Sequence, residues 1–286
     1  MELHTLQLEQ LIGHFAEYLR KKDRAQNTIS VYVRSIRLLF NQETTLTPKS
    51  FHHFQEHLLA TYLPTTANQR IHALNHFLLF LEEWHPNEFP ELSHFRLASI
   101  KLPKRSFHDS IISNQDCRKL QEHLKQDGYE FWYFIVRFLV TTGVRVSELT
   151  KIKVEHLSCG YLDLYSKGGR IRRIYITDSL CTEASEWCRR TGRTSGFFFV
   201  SQHGHTITSR GIQFRLKQFA VRYQINPNTV YPHAFRHRFA KNFLDRYGDI
   251  ALLADLLGHE SIETTRIYLT RSSSEQQRLL DDIVTW

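Results

Sequence analysis

The sequence predicts a mainly α-helical protein in two domains, with one small β-hairpin in the second. Three observations carry that reading. Apolar residues recur at helical spacing through most of the chain. One stretch, Gly160 to Thr177, switches to strand character around a glycine turn. A proline-bearing basic segment without periodicity separates two helical regions. At 286 residues, with 41% hydrophobic and 23% charged, the chain can bury a core in each domain.

Residues 1–100 read as a helical bundle. Leu8, Leu11, Ile12, Phe15, Tyr18 and Leu19 share one face of a first helix, which Lys21 to Arg24 breaks. Asn27 can cap a second, whose apolar face is Ile29, Tyr32, Val33, Ile36, Leu39 and Phe40. Pro48 suits the first turn of a third helix carrying Phe51, Phe54 and Leu58. Thr65 or Thr66 opens a fourth, with Ile71, Leu74, Phe77, Leu78 and Leu81 on one stripe. From His85 to Phe107 the period is lost, and the run, which holds Pro86, Pro90 and Pro103, reads as an extended interdomain linker whose basic end is Lys101, Lys104 and Arg105. Residues 101–110 therefore read as a basic linker; its charge either follows a phosphate backbone or is simply solvated.

The second domain runs from 111 to 286. Ser113 caps a helix through Leu124, and Phe131 to Thr142 is apolar enough for a core helix. Leu162 and Leu164 alternate, Lys167-Gly168-Gly169 supplies a turn, and Ile171 to Ile176 is β-branched and aromatic. Further helices are predicted over Leu180–Arg190, Ser209–Tyr223, His233–Tyr247, Ile250–Leu257 and Ile262–Leu269. A last amphipathic helix is predicted over Ser273–Val284. This makes the second domain α+β.

Composition narrows the function. The excess of 37 Lys+Arg over 29 Asp+Glu, a net charge of +8, favours a polyanionic partner. Cys117, Cys159, Cys181 and Cys188 form no C-x-x-C pair, which argues against a zinc site or a disulfide framework and fits a reducing cytoplasm. No apolar run approaches the roughly 18 residues of a membrane span, and no secretory leader is evident, so no membrane partner is expected. His52-His53 and His203-x-His205 have metal-like spacing but read as surface or loop histidines. No carboxylate cluster suggests two-metal chemistry, and no phosphate-binding glycine loop suggests ATP use.

Four separated segments are informative together. They are Thr141 to Leu149 (TTGVRVSEL), Ser166 to Arg170 (SKGGR), Pro232 to His237 (PHAFRH) and Leu256 to Tyr268 (LLGHESIETTRIY). By residue type alone, Arg145 and Arg236 could be surface arginines, His259 a helix-end residue and Lys167 a solvated turn lysine. Tyr223, Tyr231 and Tyr247 rival Tyr268. In this order and spacing, however, the segments closely resemble the tyrosine recombinase, or phage integrase, family over residues 111–270. Within it, the chain looks like the compact chromosome-dimer and transposon-resolvase branches. The departures are Phe235, Arg238 and Leu269, none of them at a catalytic position of the pattern.

The resemblance implies a metal- and cofactor-free enzyme that cuts and rejoins DNA through a 3′-phosphotyrosine, for integration, excision or resolution. It identifies Arg145, Lys167, His233, Arg236, His259 and Tyr268 as catalytic, with Glu148 and His237 supporting. The chemistry suits these types. Two guanidiniums fork onto phosphate oxygens without losing their protons. An imidazole titrates near neutrality. A phenol can both attack phosphorus and leave again. Arg170, Arg172, Arg173, Lys101, Lys104 and Arg105 are expected on the DNA backbone, with Arg34, Arg37 and Arg70 as weaker candidates. The family pattern implies two domains forming a C-shaped clamp on double-stranded DNA carrying a specific recombination site. It also implies a homotetramer on two duplexes, joined by exchange of the tail after Ser272; the other reading of that tail is packing on its own domain. With the helical domain at the start of the chain, no additional arm-binding domain is expected. An inactive accessory protein of the same fold and a type IB topoisomerase are the rival functions.

Overall fold

Helix α1 (Thr5–Lys21) buries Leu11, Ile12, Phe15, Tyr18 and Leu19, the stripe its sequence spacing predicts. The computed structural model describes residues 5–101, 111–165, 171–201, 204–259, 261–269, 277 and 280–284. They fall into two compact units, Met1–Lys104 and Arg105–Trp286.

In the first unit α1 is followed by α2 (Gln26–Phe40), α3 (Pro48–Thr61) and α4 (Pro64–Trp84). Helix α3 starts on a reciprocal cap. Ser50 N donates to Thr47 Oγ1 at 3.2 Å and Thr47 N donates to Ser50 Oγ at 3.0 Å, with Pro48 at the first helical position. Two expected starts move by a residue or two. Helix α2 begins at Gln26 with Ala25 at the cap, so Asn27 lies inside the first turn and does not cap it. Helix α4 begins at Pro64, ahead of Thr65 and Thr66. Phe15, Phe51, Phe54, Phe77 and Phe80 are fully buried, with Phe15 edge-on to Phe77 at 5.2 Å between ring centroids.

The segment after α4 is ordered against the bundle, contrary to the extended linker expected from His85 onward. Leu92 and Leu97 enter the core. Two amides on α4 substitute for a neighbouring strand. Asn75 Nδ2 donates to Leu97 O and Leu97 N donates to Asn75 Oδ1, both at 2.9 Å. Asn68 does the same for Ile100, at 2.9 and 2.8 Å. The backbone polar groups of Leu97 and Ile100, which lie outside any helix or strand, are thereby satisfied.

The second unit runs α5 (Asn114–Gln126), α6 (Glu130–Thr142), α7 (Val146–Leu149), α8 (His156–Cys159), β1 (Tyr161–Tyr165) and β2 (Ile171–Tyr175). It continues with α9 (Asp178–Arg190), α10 (Ser209–Arg222), α11 (Pro232–Tyr247), α12 (Ile250–Leu257) and α13 (Ile262–Arg266), which tightens into a 3-10 turn at Ile267–Leu269. β1 and β2 are antiparallel, pairing Leu162 with Ile174 and Leu164 with Arg172. Ser113 caps α5, accepting from Asp116 N at 2.9 Å. The core gathers Phe134, Phe138, Leu139, Trp187, Phe198 and Phe199. Phe235 belongs to it, and Arg238 fastens α11 to the approach to α5 by donating to Ile112 O at 2.6 Å. Beside this core, Ala240, Leu253, Leu257 and Tyr268 form a smaller cluster. Of the expected tail helix, Gln277 and Leu280–Ile283 are helical, and the other positions from 271 onward, Val284 apart, lie outside the described residues.

A candidate active site in the second unit

Arg236 is the most deeply placed charge among the described residues of this unit, with 1% of its surface exposed. A buried guanidinium needs acceptors on its donors. Nη1 donates to Gly143 O and Nη2 to Leu257 O, both at 2.7 Å. These carbonyls belong to the C-terminal ends of α6 and α12, where backbone acceptors are unpaired and the helix dipole is negative. Two helix ends thus compensate one cation. Gly143 closes α6 in the left-handed region, at φ 62°, and a Cβ there would overlap the Phe239 ring. Burial first, then the charges of Arg145 and Arg172, lower the Arg236 pKa to about 10, which leaves it protonated at neutral pH.

His259 follows the left-handed Gly258 that ends α12, and its N–H returns to Ala254 O at 3.0 Å. Its Nε2 lies 3.0 Å from Arg236 Nη2 and its Nδ1 2.7 Å from Thr265 Oγ1. Arginine can only donate, so Nε2 is the acceptor and Nδ1 carries the proton toward Thr265. Burial, followed by Arg236, Arg145, Arg172 and His233, lowers the His259 pKa to about 4. The ring is neutral.

Arg145 stands at the start of α7, partly exposed. Its N–H donates to Glu148 Oε2 at 2.8 Å and its Nη1 to Glu148 Oε1 at 2.9 Å; Nη2 reaches Gly258 O at 3.3 Å. Burial would raise the Glu148 pKa. The Arg172 charge and the hydrogen bonds from Arg145 and Arg172 outweigh it, so the carboxyl is held below its ordinary value.

His233 sits in the first turn of α11, after Pro232, and remains exposed. Desolvation of its inner side, then Arg236 and Arg145, lower its pKa. The His237 ring lies between His233 and Tyr268, edge-on to both, with centroids 4.4 and 5.0 Å away. Tyr268 is buried in the 3-10 turn, its ring nearly parallel to that of His259 at 6.1 Å. Burial raises the phenol pKa. The Arg236 charge and hydrogen bond and the Arg145 charge oppose the rise without cancelling it.

Arg145, Glu148, His233, Arg236, His237, His259 and Tyr268, distant in sequence, are therefore neighbours. Beside them an open cleft of about 630 Å³ is lined by Arg145, Glu148, Lys151, Arg172, Tyr175 and His259 among others. Arg172, expected on the DNA backbone, is turned inward instead. Its side chain is 10% exposed, its Nη1 meets Glu148 at 2.6 Å, and Nε and Nη2 both donate to Leu256 O at 3.2 and 3.0 Å. Arg173 is exposed but pairs twice with Asp163 across the hairpin, at 2.8 Å, and its guanidinium lies 3.8 Å over the Tyr161 ring. Arg37 is likewise paired, with Glu9 at 2.9 Å, and Arg70 stacks on Tyr62 at 4.4 Å. Lys101 is exposed at the end of the first unit. Lys167, Arg170, Lys104, Arg105 and His203 lie outside the described residues. His52 packs edge-on to Phe95 and His53 pairs with Glu43.

Sequence reasoning missed Thr265, the backbone carbonyls of Gly143 and Leu257, and the inward turn of Arg172. Thr265 is the second of the adjacent threonines in the last segment, a visible signal to which no role was attached.

The phage integrase family model matches residues 111–275, and the chain belongs to that family. It is 29% identical to the tyrosine recombinase XerA of Pyrococcus furiosus over 99% of both chains. It is 24% identical to the tyrosine recombinase XerD of Staphylococcus haemolyticus over 95% of this chain and 97% of that one. Among solved structures it resembles XerH recombinase bound to its difH substrate, with TM-score 0.71, 18% identity and coverage of 95% and 96%. A lambda integrase tetramer on a Holliday junction superposes with TM-score 0.71 at 17% identity, covering 93% of this chain and 78% of that one. The chain is thus a tyrosine site-specific DNA recombinase.

Proposed function

We propose that Tyr268 is the nucleophile of this recombinase and that Arg145, Arg236 and His259 hold the scissile phosphate. The observation carrying this reading is the hydrogen-bonded set Arg236–His259–Thr265, with Arg145 beside it and Tyr268 packed against it. The two guanidiniums and the imidazole meet the charge that grows on the non-bridging oxygens. Because Nδ1 carries the His259 proton, a phosphate oxygen at this histidine requires either the other tautomer or a protonated ring. Tyr268 Oη forms the bond to phosphorus as the P–O5′ bond breaks. The phenol proton passes to His233, neutral at pH 7, and the departing 5′ oxygen takes a proton from Lys167, which lies between β1 and β2 in sequence. Attack by a 5′ hydroxyl on the phosphotyrosine reverses these steps and rejoins the strand.

At larger scale we propose that the two units grip double-stranded DNA at a specific site and that four copies join two duplexes. Tail segments beyond Ser272 would dock on neighbouring copies. Exposed Leu280, Ile283 and Val284 support an apolar docking role for that tail. The biological outcome is integration, excision or resolution, in the cytoplasm.

The test uses duplex target with a bridging phosphorothiolate, whose thiol leaving group prevents religation. Wild-type protein should accumulate a denaturation-resistant DNA adduct, and Tyr268→Phe should bind the duplex and form none. An undiminished adduct in that variant would overturn the assignment.

A further inference from the structure

We propose that Arg172 is a positioning residue for strand cleavage: it neutralises Glu148, so that the Arg145 guanidinium keeps its charge for the DNA phosphate. The proposal rests on the reading of Arg145 as a phosphate ligand. Glu148 is a nearly buried carboxylate serving two cations. Both of its oxygens lie 2.6 Å from Arg172 Nη1, whereas one lies 2.9 Å from Arg145 Nη1. The shorter, double contact belongs to Arg172, and that side chain is the less exposed, at 10% against 42% for Arg145. In a charge-assisted pair, distance and desolvation decide which cation takes most of the carboxylate's charge. Arg172 does so.

The rest of the Arg172 side chain is fixed. Nε and Nη2 converge on Leu256 O, near the end of α12, as the fork of a guanidinium allows and an ammonium does not. Its stem lies so close to Gly258 that a Cβ on that residue would overlap Arg172 Cδ. Glycine there admits the arginine. The same glycine's carbonyl faces Arg145 Nη2 at 3.3 Å, so one short stretch of backbone touches both cations. With Arg172, Arg145, Arg236 and Glu148 charged and His233 and His259 neutral, this set carries a net positive charge facing the cleft. Without Arg172, the buried carboxylate has only Arg145 as a close cationic partner among the described residues and would draw that guanidinium into a full ion pair. The phosphate would then meet a neutralised arginine.

The experiment compares wild type, Arg172→Met, Arg172→Met with Glu148→Gln, and Arg145→Ala, all as full chains. Single-turnover cleavage is measured on a phosphodiester duplex and on one with a neutral methylphosphonate at the scissile position, and duplex affinity is measured alongside. Arg172→Met should bind DNA nearly as wild type and cleave the phosphodiester on the order of a hundredfold more slowly. On the methylphosphonate, which carries no phosphate charge to neutralise, its deficit should shrink by about tenfold or more. Adding Glu148→Gln should restore much of the phosphodiester rate, because it removes the carboxylate left unpaired. Equal deficits on both substrates, or no recovery in the double variant, would overturn the proposal and leave Arg172 a packing residue. Undiminished phosphodiester cleavage by Arg145→Ala would instead overturn the phosphate-ligand reading beneath it.

Discussion

His259 shows how one residue's protonation can be read from its partners. Its Nε2 accepts from a guanidinium and its Nδ1 faces a buried threonine hydroxyl, so a second proton would break the first bond and add charge beside three arginines. The folded-state pKa near 4 lies below the ordinary 6.5, so the unfolded chain takes up the proton first. The stabilisation from this histidine is therefore complete above pH 6.5 and is lost as pH falls toward 4. Glu148, whose pKa is also held down, loses its contribution in the same direction at lower pH. Thermal unfolding midpoints measured from pH 7 to 4 should fall less steeply for His259→Gln than for wild type; parallel curves would refute the assignment. Much of the site was legible at this scale. Residue type alone left Arg145, His233, Arg236, His259 and Tyr268 open; it was the order and spacing of their segments, through the family resemblance, that marked them. Arg172 was not legible. A strand arginine two residues past Arg170 reads the same whether it faces solvent or folds under, and Glu148 and Leu256 O, which decide it, are distant in sequence.

At the scale of elements, periodicity located the longer helices but not the four-residue α7 and α8, and local side-chain chemistry set helix ends less reliably. Asn27 has the residue type of a cap, yet α2 starts two residues earlier, with Ala25 at the cap in an extended conformation. The packed segment after Trp84 was the larger surprise. Its sequence has no period, and what orders it is a pair of asparagines two helical turns apart on α4, each serving the backbone N–H and C=O of one residue. Nothing in Asn68 or Asn75 alone distinguishes this from an exposed amide. The arrangement predicts that Asn75→Ala strands the Leu97 N–H and C=O, costing about 1–3 kcal/mol locally. In the full chain, amide hydrogen exchange at Leu97 should then accelerate roughly tenfold or more, if it proceeds by local opening of the segment. Asn75→Asp, able to accept but not donate, should fall between the two. Unchanged exchange in Asn75→Ala would mean the segment is held by Leu92 and Leu97 burial alone.

For the whole molecule, the charge of +8 sets an expectation for DNA binding, but where that charge is available matters more than its total. A duplex releases counterions in proportion to the phosphates neutralised, so log affinity falls linearly with log salt, by about 0.9 per contact. A cation already paired with a carboxylate adds little, since the acid must be displaced or carried along. Arg173 is in that state, bound twice to Asp163, whereas Lys101 is exposed with no acidic partner among the described residues. Binding measured with Tyr268→Phe, to prevent covalent capture, should therefore show a steep salt dependence in the parent. Lys101→Ala should flatten the slope by about one unit if that lysine meets a phosphate. Arg173→Ala should leave it nearly unchanged, with well under one unit of difference. Equal flattening by both substitutions would mean that the Arg173–Asp163 pair opens on the duplex and that the hairpin's charge is spent on DNA after all.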